Sequence, residues 1–207
     1  MQALILVDIQ NDFCPGGALA VPEGDQVVPL ANRLMDRFPL LIATQDFHPR
    51  THKSFAANHP GKNTYEVIEL EGLPQVLWPV HCVAGSEGAE FHPNLDSDRF
   101  DAVFAKGTDE RIDSYSGFFD NGHRKSTGLA DYLREKQVDE VFVMGLATDY
   151  CVKATALDAV QLGFRTHVIE DGCRGVELAP GDVEAAKREL RAAGVTLCRS
   201  DDLPAPK

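Results

Sequence analysis

Hydrophobic residues recur along the chain in short unbroken runs that alternate with amphipathic segments. Residues 2–8 (QALILVD) and 39–46 (PLLIATQD) are almost continuously apolar, as expected for strands buried on both faces of a parallel sheet. The same pattern predicts further strands at 101–106, 139–146, 164–170 and 195–199. Helical spacing of apolar residues predicts helices at 25–37, 126–136, 149–162 and 181–193. Strands that alternate with helices indicate an α/β fold, in which helices cover both faces of a parallel sheet.

The segment from 47 to 100 interrupts this alternation. It has no clear periodicity, and it contains five of the seven histidines of the chain. Irregular segments of this length are usually either functional or disordered. The aromatic residues and histidines of DFHPRTHKSF and LWPVHCVAG argue against disorder. We therefore expect this segment to contribute to a functional site.

Length and composition limit the class of protein. A chain of 207 residues fits one domain, 1–207, with a substantial core. No apolar run approaches the ~20 residues of a membrane span, and the first residues lack the basic region of a signal peptide. The net charge of −12 argues against nucleic acid or an anionic membrane as the partner and leaves a small molecule. An odd number of cysteines without paired spacing predicts free thiols in a reducing, cytoplasmic setting; they are Cys14, Cys82, Cys151, Cys173 and Cys198.

Four chemically reactive residues follow the ends of predicted strands. Asp8, Asp46 and Lys106 close their strands, and Cys151 lies near the start of the helix after strand 139–146. Strands of a parallel sheet end at one edge, where ligands bind, so we expect these residues to meet there. Taken singly, the aspartates can be turn formers, the lysine a solvated residue and the cysteine part of the core. Together they favour a nucleophilic site, because a carboxylate can take the thiol proton and an ammonium group favours the thiolate.

A second set of residues has the composition of a metal site. Asp46 and His48 are two positions apart at a strand end, and His81 comes from a later part of the irregular segment. Two histidines and a carboxylate suit a first-row divalent ion with open positions for water or substrate. Histidines that precede proline can also be ordinary loop residues, which is our interpretation of His59. His52 is either a fourth ligand or a partner of the ligands.

Five stretches together carry a resemblance to a known family: ALILVDIQNDFCPGGAL, TQDFHP followed by HKSFA, LWPVHCVAG, KGTDERIDSYSGF and GLATDYCVKATALDA. They extend from residue 3 to residue 159 and resemble nicotinamidases (also called pyrazinamidases) of the isochorismatase-like cysteine hydrolase family. The resemblance implies a three-layer, Rossmann-like αβα fold whose six strands have the order 3-2-1-4-5-6. It also implies one zinc, iron or manganese ion held by Asp46, His48 and His81.

The resemblance assigns roles to individual residues as well. It implies a catalytic set of Asp8, Lys106 and Cys151. A cis peptide at Leu146–Ala147 would let the backbone N–H groups of Ala147 and Cys151 form an oxyanion hole. The aromatic residues that would line the slot for the ring of the substrate are Phe13, Trp78 and Tyr115.

The implied reaction is hydrolysis of nicotinamide to nicotinate and ammonia in NAD salvage, with pyrazinamide as a further substrate. One alternative is another hydrolase of the family, an isochorismatase or an N-carbamoylsarcosine amidase. The intact metal set argues against it, because those relatives generally lack the metal. The other alternative is a binding protein on the same fold, and the presence of the whole catalytic set argues against that. The sequence suggests no role for the remaining four cysteines and no oligomeric state.

Overall fold

The computed structural model describes residues 1–203 of the chain. Within them one parallel sheet has six strands: β1 (Gln2–Val7), β2 (Leu41–Asp46), β5 (Ala102–Lys106), β6 (Glu140–Leu146), β7 (Arg165–Arg174) and β8 (Thr196–Cys198). A separate antiparallel hairpin consists of β3 (Val67–Leu70) and β4 (Leu73–Val76). The α-helices are α1 (Val27–Met35), α2 (Leu129–Glu135), α3 (Lys153–Gln161) and α4 (Asp182–Ala192).

The strand order of the sheet is β5-β2-β1-β6-β7-β8, and all of its neighbouring pairs are parallel. Numbered along the chain, this is the expected order 3-2-1-4-5-6. The direction of strand addition reverses at β1, which lies between β2 and β6. Val7, the last residue of β1, is level with Thr44 on one side and Gly145 on the other. The reversal point therefore opens directly above the C-terminal end of β1.

The first strand forms the centre of the core. Leu4, Ile5 and Leu6 are at most 1 % exposed, and their strand lies between β2 and β6 in the interior of the sheet. Burying each such side chain contributes about 1.5–3 kcal/mol relative to leaving it exposed. This packing fixes the sheet edge on which the candidate site is built.

The predicted elements are present, with differences at their ends. Helix α2 begins three residues later than the start predicted for segment 126–136, since Gly128 before it has a left-handed φ of 92°. The start of the predicted helix 149–162 is a π-helical turn, Thr148–Val152, and the α-helix follows it. No helix within residues 1–203 combines the length and hydrophobicity required to cross a bilayer.

Candidate active site

A buried lysine connects the residues at the edge of the sheet. The Lys106 Nζ atom lies 2.8 Å from Asp8 Oδ2 and 2.9 Å from Asp46 Oδ1. It also lies 3.5 Å from Cys151 Sγ and donates a hydrogen bond of 2.9 Å to the Ser114 carbonyl. The structure thus brings together all four reactive residues that the sequence placed at strand ends. The Lys106 side chain has no solvent exposure, so water does not screen the interaction of its charge with its neighbours.

Asp8 is held in an uncommon backbone conformation. Its φ is 50°, in the left-handed region that a non-glycine residue seldom adopts. Thr44 Oγ1 donates a 2.7 Å hydrogen bond to Asp8 Oδ1, which fixes the carboxyl group from the neighbouring strand. Strain of this kind is typical of functional positions, where the surrounding structure compensates for it.

Burial and charge set the protonation of the three residues. Burial raises the pKa of Asp8, Lys106 opposes the increase and Asp46 adds to it. Burial also raises the pKa of the Cys151 thiol well above its usual range, against the opposing effect of Lys106. Burial alone would lower the pKa of Lys106, but Asp46 and Asp8 outweigh it and raise this pKa well above normal. The resting site therefore combines a charged lysine with a neutral thiol, and needs a base to generate the thiolate.

The turn that carries Cys151 begins at a cis peptide between Leu146 and Ala147, at the expected position. The Ala147 carbonyl accepts hydrogen bonds from the N–H groups of Tyr150 and Val152, on either side of Cys151. Gly145 lies two residues before Ala147 and has a φ of 124°. A Cβ atom there would lie 2.2 Å from the Val7 carbonyl oxygen, so glycine is required where β6 lies against the end of β1. The proposed oxyanion donors, Ala147 N–H and Cys151 N–H, thus belong to one compact turn.

The three predicted metal ligands converge on one point. Asp46 Oδ2 lies 2.9 Å from His48 Nε2 and 3.3 Å from His81 Nε2, and all three residues are buried. His48 Nδ1 is 2.8 Å from the Gly107 carbonyl, and His81 Nδ1 is 2.8 Å from the Pro79 carbonyl. Carbonyls only accept, so both Nδ1 atoms carry a proton.

These hydrogen bonds leave the two Nε2 atoms without protons, and their lone pairs face the Asp46 carboxylate. Such a group of acceptors requires a cation, which is the arrangement of histidines that ligate metals. Without one, burial lowers the pKa of His48, but Asp46 outweighs burial and raises it to about 9, so that a proton takes the place of the cation. The residues present therefore fit a divalent metal ion.

His52 differs from the other two histidines in its hydrogen bonds. Its Nδ1 accepts a 3.1 Å hydrogen bond from the backbone N–H of Ser54, which leaves the ring proton on Nε2. That Nε2 has no hydrogen-bond partner among residues 1–203, and His52 lies in a group with His48 and Asp113. The rings of His52 and His48 are 4.3 Å apart. Of the two roles considered for His52, this geometry favours a partner of the ligands.

A narrow, largely apolar cavity opens between Cys151 and the candidate metal ligands Asp46 and His81. The aromatic residues predicted from the resemblance all line it; they are Phe13, Trp78 and Tyr115. Four further lining residues were not predicted from the sequence: Leu19, Asp113, Tyr150 and Val176. The position of Tyr150 next to Cys151 was the available signal for one of them. Asp113 lies in an aperiodic loop, although the stretch IDSYSGF that contains it was part of the resemblance.

Comparisons with known proteins agree with this geometry. The chain is 57 % identical to the nicotinamidase of Escherichia coli over 200 residues, covering 95 % of this chain and 93 % of that protein. Its fold matches the structure of an Acinetobacter nicotinamidase/pyrazinamidase with a TM-score of 0.95 and 49 % identity, covering 98 % of each chain. It also matches the pyrazinamidase of Pyrococcus horikoshii in complex with zinc, with a TM-score of 0.77 and 37 % identity, over 96 % of this chain and 98 % of that one.

The family model described as the isochorismatase domain matches residues 2–202. This match extends across every strand and helix of the fold and includes both the reactive residues and the candidate metal ligands. The chain therefore belongs to the isochorismatase family.

Proposed function

We propose that the chain is a nicotinamidase, which hydrolyses nicotinamide to nicotinate and ammonia and also deamidates pyrazinamide. The observation that carries this proposal is the position of Lys106 Nζ, 2.8 Å from Asp8 Oδ2 and 3.5 Å from Cys151 Sγ at the mouth of an aromatic cavity. The similarity to nicotinamidases and pyrazinamidases supports the substrate. Free cysteines suit the cytoplasm, where we place the reaction.

Cys151 is the nucleophile of the proposed mechanism and Asp8 its base. Asp8 removes the proton from the thiol, and the raised pKa of this carboxyl group suits it to accept and later return a proton. The charge of Lys106 stabilises the thiolate as it forms. The thiolate attacks the carboxamide carbon, a C–S bond forms, and the electron pair of the C=O bond moves to oxygen.

The remaining steps release both products. The N–H groups of Ala147 and Cys151 hold the oxyanion, at about 3 kcal/mol for each donor. The intermediate collapses, the C–N bond breaks, and Asp8 protonates the departing ammonia. Asp8 then takes a proton from a water molecule whose oxygen bonds to the thioester carbon. The C–S bond breaks, Asp8 returns the proton to the Cys151 sulfur, and the pyridine carboxylic acid leaves and ionises to nicotinate.

The cavity explains why the substrate is a flat heterocycle. Trp78 and Tyr115 meet at an angle of 82°, and Phe13 lies beside His81, so the slot suits a planar ring. Asp46, His48 and His81 would hold the metal, which when bound supplies a positive charge for the ring nitrogen or for water at that end of the slot. The identity of the metal, whether zinc, iron or manganese, belongs to this proposal.

The test compares two reactions, ammonia release from an amide and pyruvate release from isochorismate. Ammonia release from nicotinamide and from pyrazinamide should be efficient, whereas pyruvate release from isochorismate should be absent. Isochorismate is an anion, and no arginine lines the cavity formed by the described residues. Pyruvate release without ammonia would replace this proposal with an isochorismatase. If neither ammonia nor pyruvate is released, the substrate is a different amide or the chain is a binding protein.

A further inference from the structure

The hairpin of β3 and β4 sends one buried polar side chain toward the cavity. Gln75, in β4, is 3 % exposed and has no place in the mechanism above. Its Nε2 lies 2.8 Å from the Val76 carbonyl, 3.2 Å from Asp113 Oδ2 and 3.2 Å from the Tyr115 hydroxyl. Both Asp113 and Tyr115 line the cavity, whereas Gln75 lies behind them.

The neighbours of Gln75 determine the orientation of its amide. A carbonyl and a carboxylate oxygen only accept hydrogen bonds, so the atom that faces both must be the nitrogen. The side chain therefore presents N–H groups, and none of its acceptors, to Asp113 and Tyr115. If the amide were flipped, its own oxygen would face the Val76 carbonyl oxygen and Asp113 Oδ2 in a buried site, which is unfavourable.

The Tyr115 hydroxyl is consequently surrounded by donors. Trp78 Nε1 donates to it over 3.2 Å, and Gln75 Nε2 approaches it at the same distance. No hydrogen bond within residues 1–203 uses this hydroxyl as the donor. Burial, reinforced by Asp113, raises the pKa of Tyr115 well above its usual range, so the group keeps its proton. Its proton therefore points away from the two N–H groups and is free to meet a ligand in the cavity that Tyr115 lines.

We propose that Gln75 is a positioning residue for substrate binding, which acts through Tyr115: together with Trp78 it orients the Tyr115 hydroxyl to donate a hydrogen bond to the bound substrate. This inference rests on the proposed function for the identity of that substrate. A pyridine carboxamide has two good acceptors, the ring nitrogen and the carbonyl oxygen. The hydroxyl serves the ring nitrogen if the metal would act on water, and otherwise it serves the carbonyl oxygen beside the N–H groups of Ala147 and Cys151. In a narrow, largely apolar slot such a bond contributes to recognition as well as to affinity.

Binding measurements separate this role from catalysis. In the metal-loaded Cys151→Ala protein, calorimetric titration gives dissociation constants for nicotinamide and for benzamide, which lacks the ring nitrogen. We expect Tyr115→Phe to weaken nicotinamide binding by about tenfold, the value of one hydrogen bond. Weakening confined to nicotinamide assigns the bond to the ring nitrogen, and equal weakening of both ligands assigns it to the carbonyl oxygen. Unchanged binding of both ligands would overturn the proposal.

A double-mutant cycle tests the part played by Gln75. Gln75→Met keeps the length of the side chain but removes its donors, and it should weaken nicotinamide binding by several-fold. In the Tyr115→Phe background the same change should have little further effect, because Gln75 acts through that hydroxyl. Additive effects would show that Gln75 acts elsewhere. If Gln75→Met fails to fold, Gln75→Leu, which also lacks donors and is more compact, replaces it.

Trp78, the only tryptophan of the chain, provides a spectroscopic readout of the same network. Its emission maximum should shift in Gln75→Met and in Tyr115→Phe, since both disturb the partner of the indole N–H. The matched control is Gln2→Met, which removes a 2.7 Å hydrogen bond to Glu140 at the opposite end of the sheet and should change neither emission nor binding. Nicotinamide hydrolysis by the wild-type protein with unchanged binding in Tyr115→Phe would refute this inference alone. Absence of hydrolysis in the wild type would refute the function as well.

Discussion

At the scale of single residues, the site depends on one buried positive charge between two carboxylates and a thiol. Lys106 is within 2.9 Å of both Asp8 and Asp46, and none of the three side chains is more than 5 % exposed. Separately, each buried charge would be strongly destabilising. Together they form a network in which Lys106 stabilises whichever of its neighbours carries negative charge at each step of the reaction.

The proposed nucleophile, Cys151, gives the first prediction. Cys151→Ala should lower kcat for nicotinamide by about 10³-fold or more, because no other group replaces the covalent step. Nicotinamide binding should persist, since the walls of the cavity are unchanged. Cys198→Ala is the control, as Cys198 is a free, half-buried thiol in β8 outside the cavity, and should retain full activity. Ammonia release by Cys151→Ala within tenfold of the wild type would contradict the assignment.

Removal of the central charge should cost stability as well as activity. Lys106→Met leaves the Asp8 carboxylate buried without its cation, which should lower the free energy of unfolding by about 3–5 kcal/mol. Urea denaturation measures this loss. Lys187→Met, which breaks partly exposed ion pairs with Glu170 and Glu184, should cost no more than about 1 kcal/mol.

The sign of the pH dependence follows from linkage. Without Lys106 the folded-state pKa of Asp8, which burial already raises above the ordinary value of 3.8, rises further, because the positive charge that opposed the increase is gone. A group whose folded pKa is raised binds protons more tightly in the folded state, so the variant loses stability as the pH rises above about 4. The difference in unfolding free energy between wild type and Lys106→Met should therefore widen from pH 4 to pH 7. A constant difference would mean that lost packing, and not charge, causes the effect.

At the scale of elements, the irregular loops contribute as much to the site as the strands do. Asp46 ends β2, but His48 and His81 lie in two loops. An isolated parallel β-bridge between His48 and Val83 joins these loops. Backbone carbonyls of Gly107 and Pro79 orient the two rings. The ligand geometry is thus built from hydrogen bonds between loops, which the metal would reinforce.

This construction predicts how metal content responds to substitution. The wild-type protein should retain about one first-row divalent ion per chain, and His48→Ala or His81→Ala should lose it, because each removes one of three protein ligands. Elemental analysis after dialysis measures the content, and His92→Ala, in an exposed turn, is the control. Full metal occupancy in both histidine variants would show that these residues do not hold the ion. A wild-type protein without metal, whose activity is unaffected by chelators, would also contradict the metal site.

The sequence predicted the six strands of the sheet, and it missed the two short strands of the hairpin. The six sheet strands were located because continuous apolar runs such as ALILV have few alternatives. The hairpin of β3 and β4 was missed, because its strands have four residues each and one contains Pro74, which argues against a strand. Strand β7 extends four residues beyond the predicted end at 170. These residues are not an apolar run, and they pair with β6 only after a register shift between Val143 and Gly145, which the sequence pattern does not show.

The site shows the same division. Asp8, Lys106 and Cys151 could be predicted because strand ends bring distant residues to one edge. The side chain of Gln75 could not, since its partners Asp113 and Tyr115 lie about 40 residues away in a loop without periodicity. Only the folded hairpin shows that an ordinary glutamine reaches the wall of the cavity.

At the scale of the whole molecule, charge is distributed unevenly between the interior and the surface. The chain has 32 acidic and 20 basic residues, a net charge of −12 at pH 7. The buried carboxylates of Asp8 and Asp46 are compensated locally by Lys106, so most of the excess negative charge lies on the surface. Surface charges of one sign repel one another, and this repulsion is relieved when the chain unfolds and expands.

Salt should therefore stabilise the protein. Raising NaCl from 20 to about 500 mM shortens the Debye length from roughly 20 Å to about 4 Å, which screens surface repulsion but leaves the buried network around Lys106 largely intact. The melting temperature at pH 7 should rise by a few degrees, as about 1 kcal/mol corresponds to roughly 2–4 °C for a protein of this size. Replacing NaCl with KCl at equal ionic strength should give the same increase if screening is the cause. At pH 5, near the isoelectric point of about 4.9, the net charge is close to zero and the increase should disappear. A melting temperature that falls with salt at pH 7, or rises equally at both pH values, would show that surface repulsion does not limit the stability of this fold.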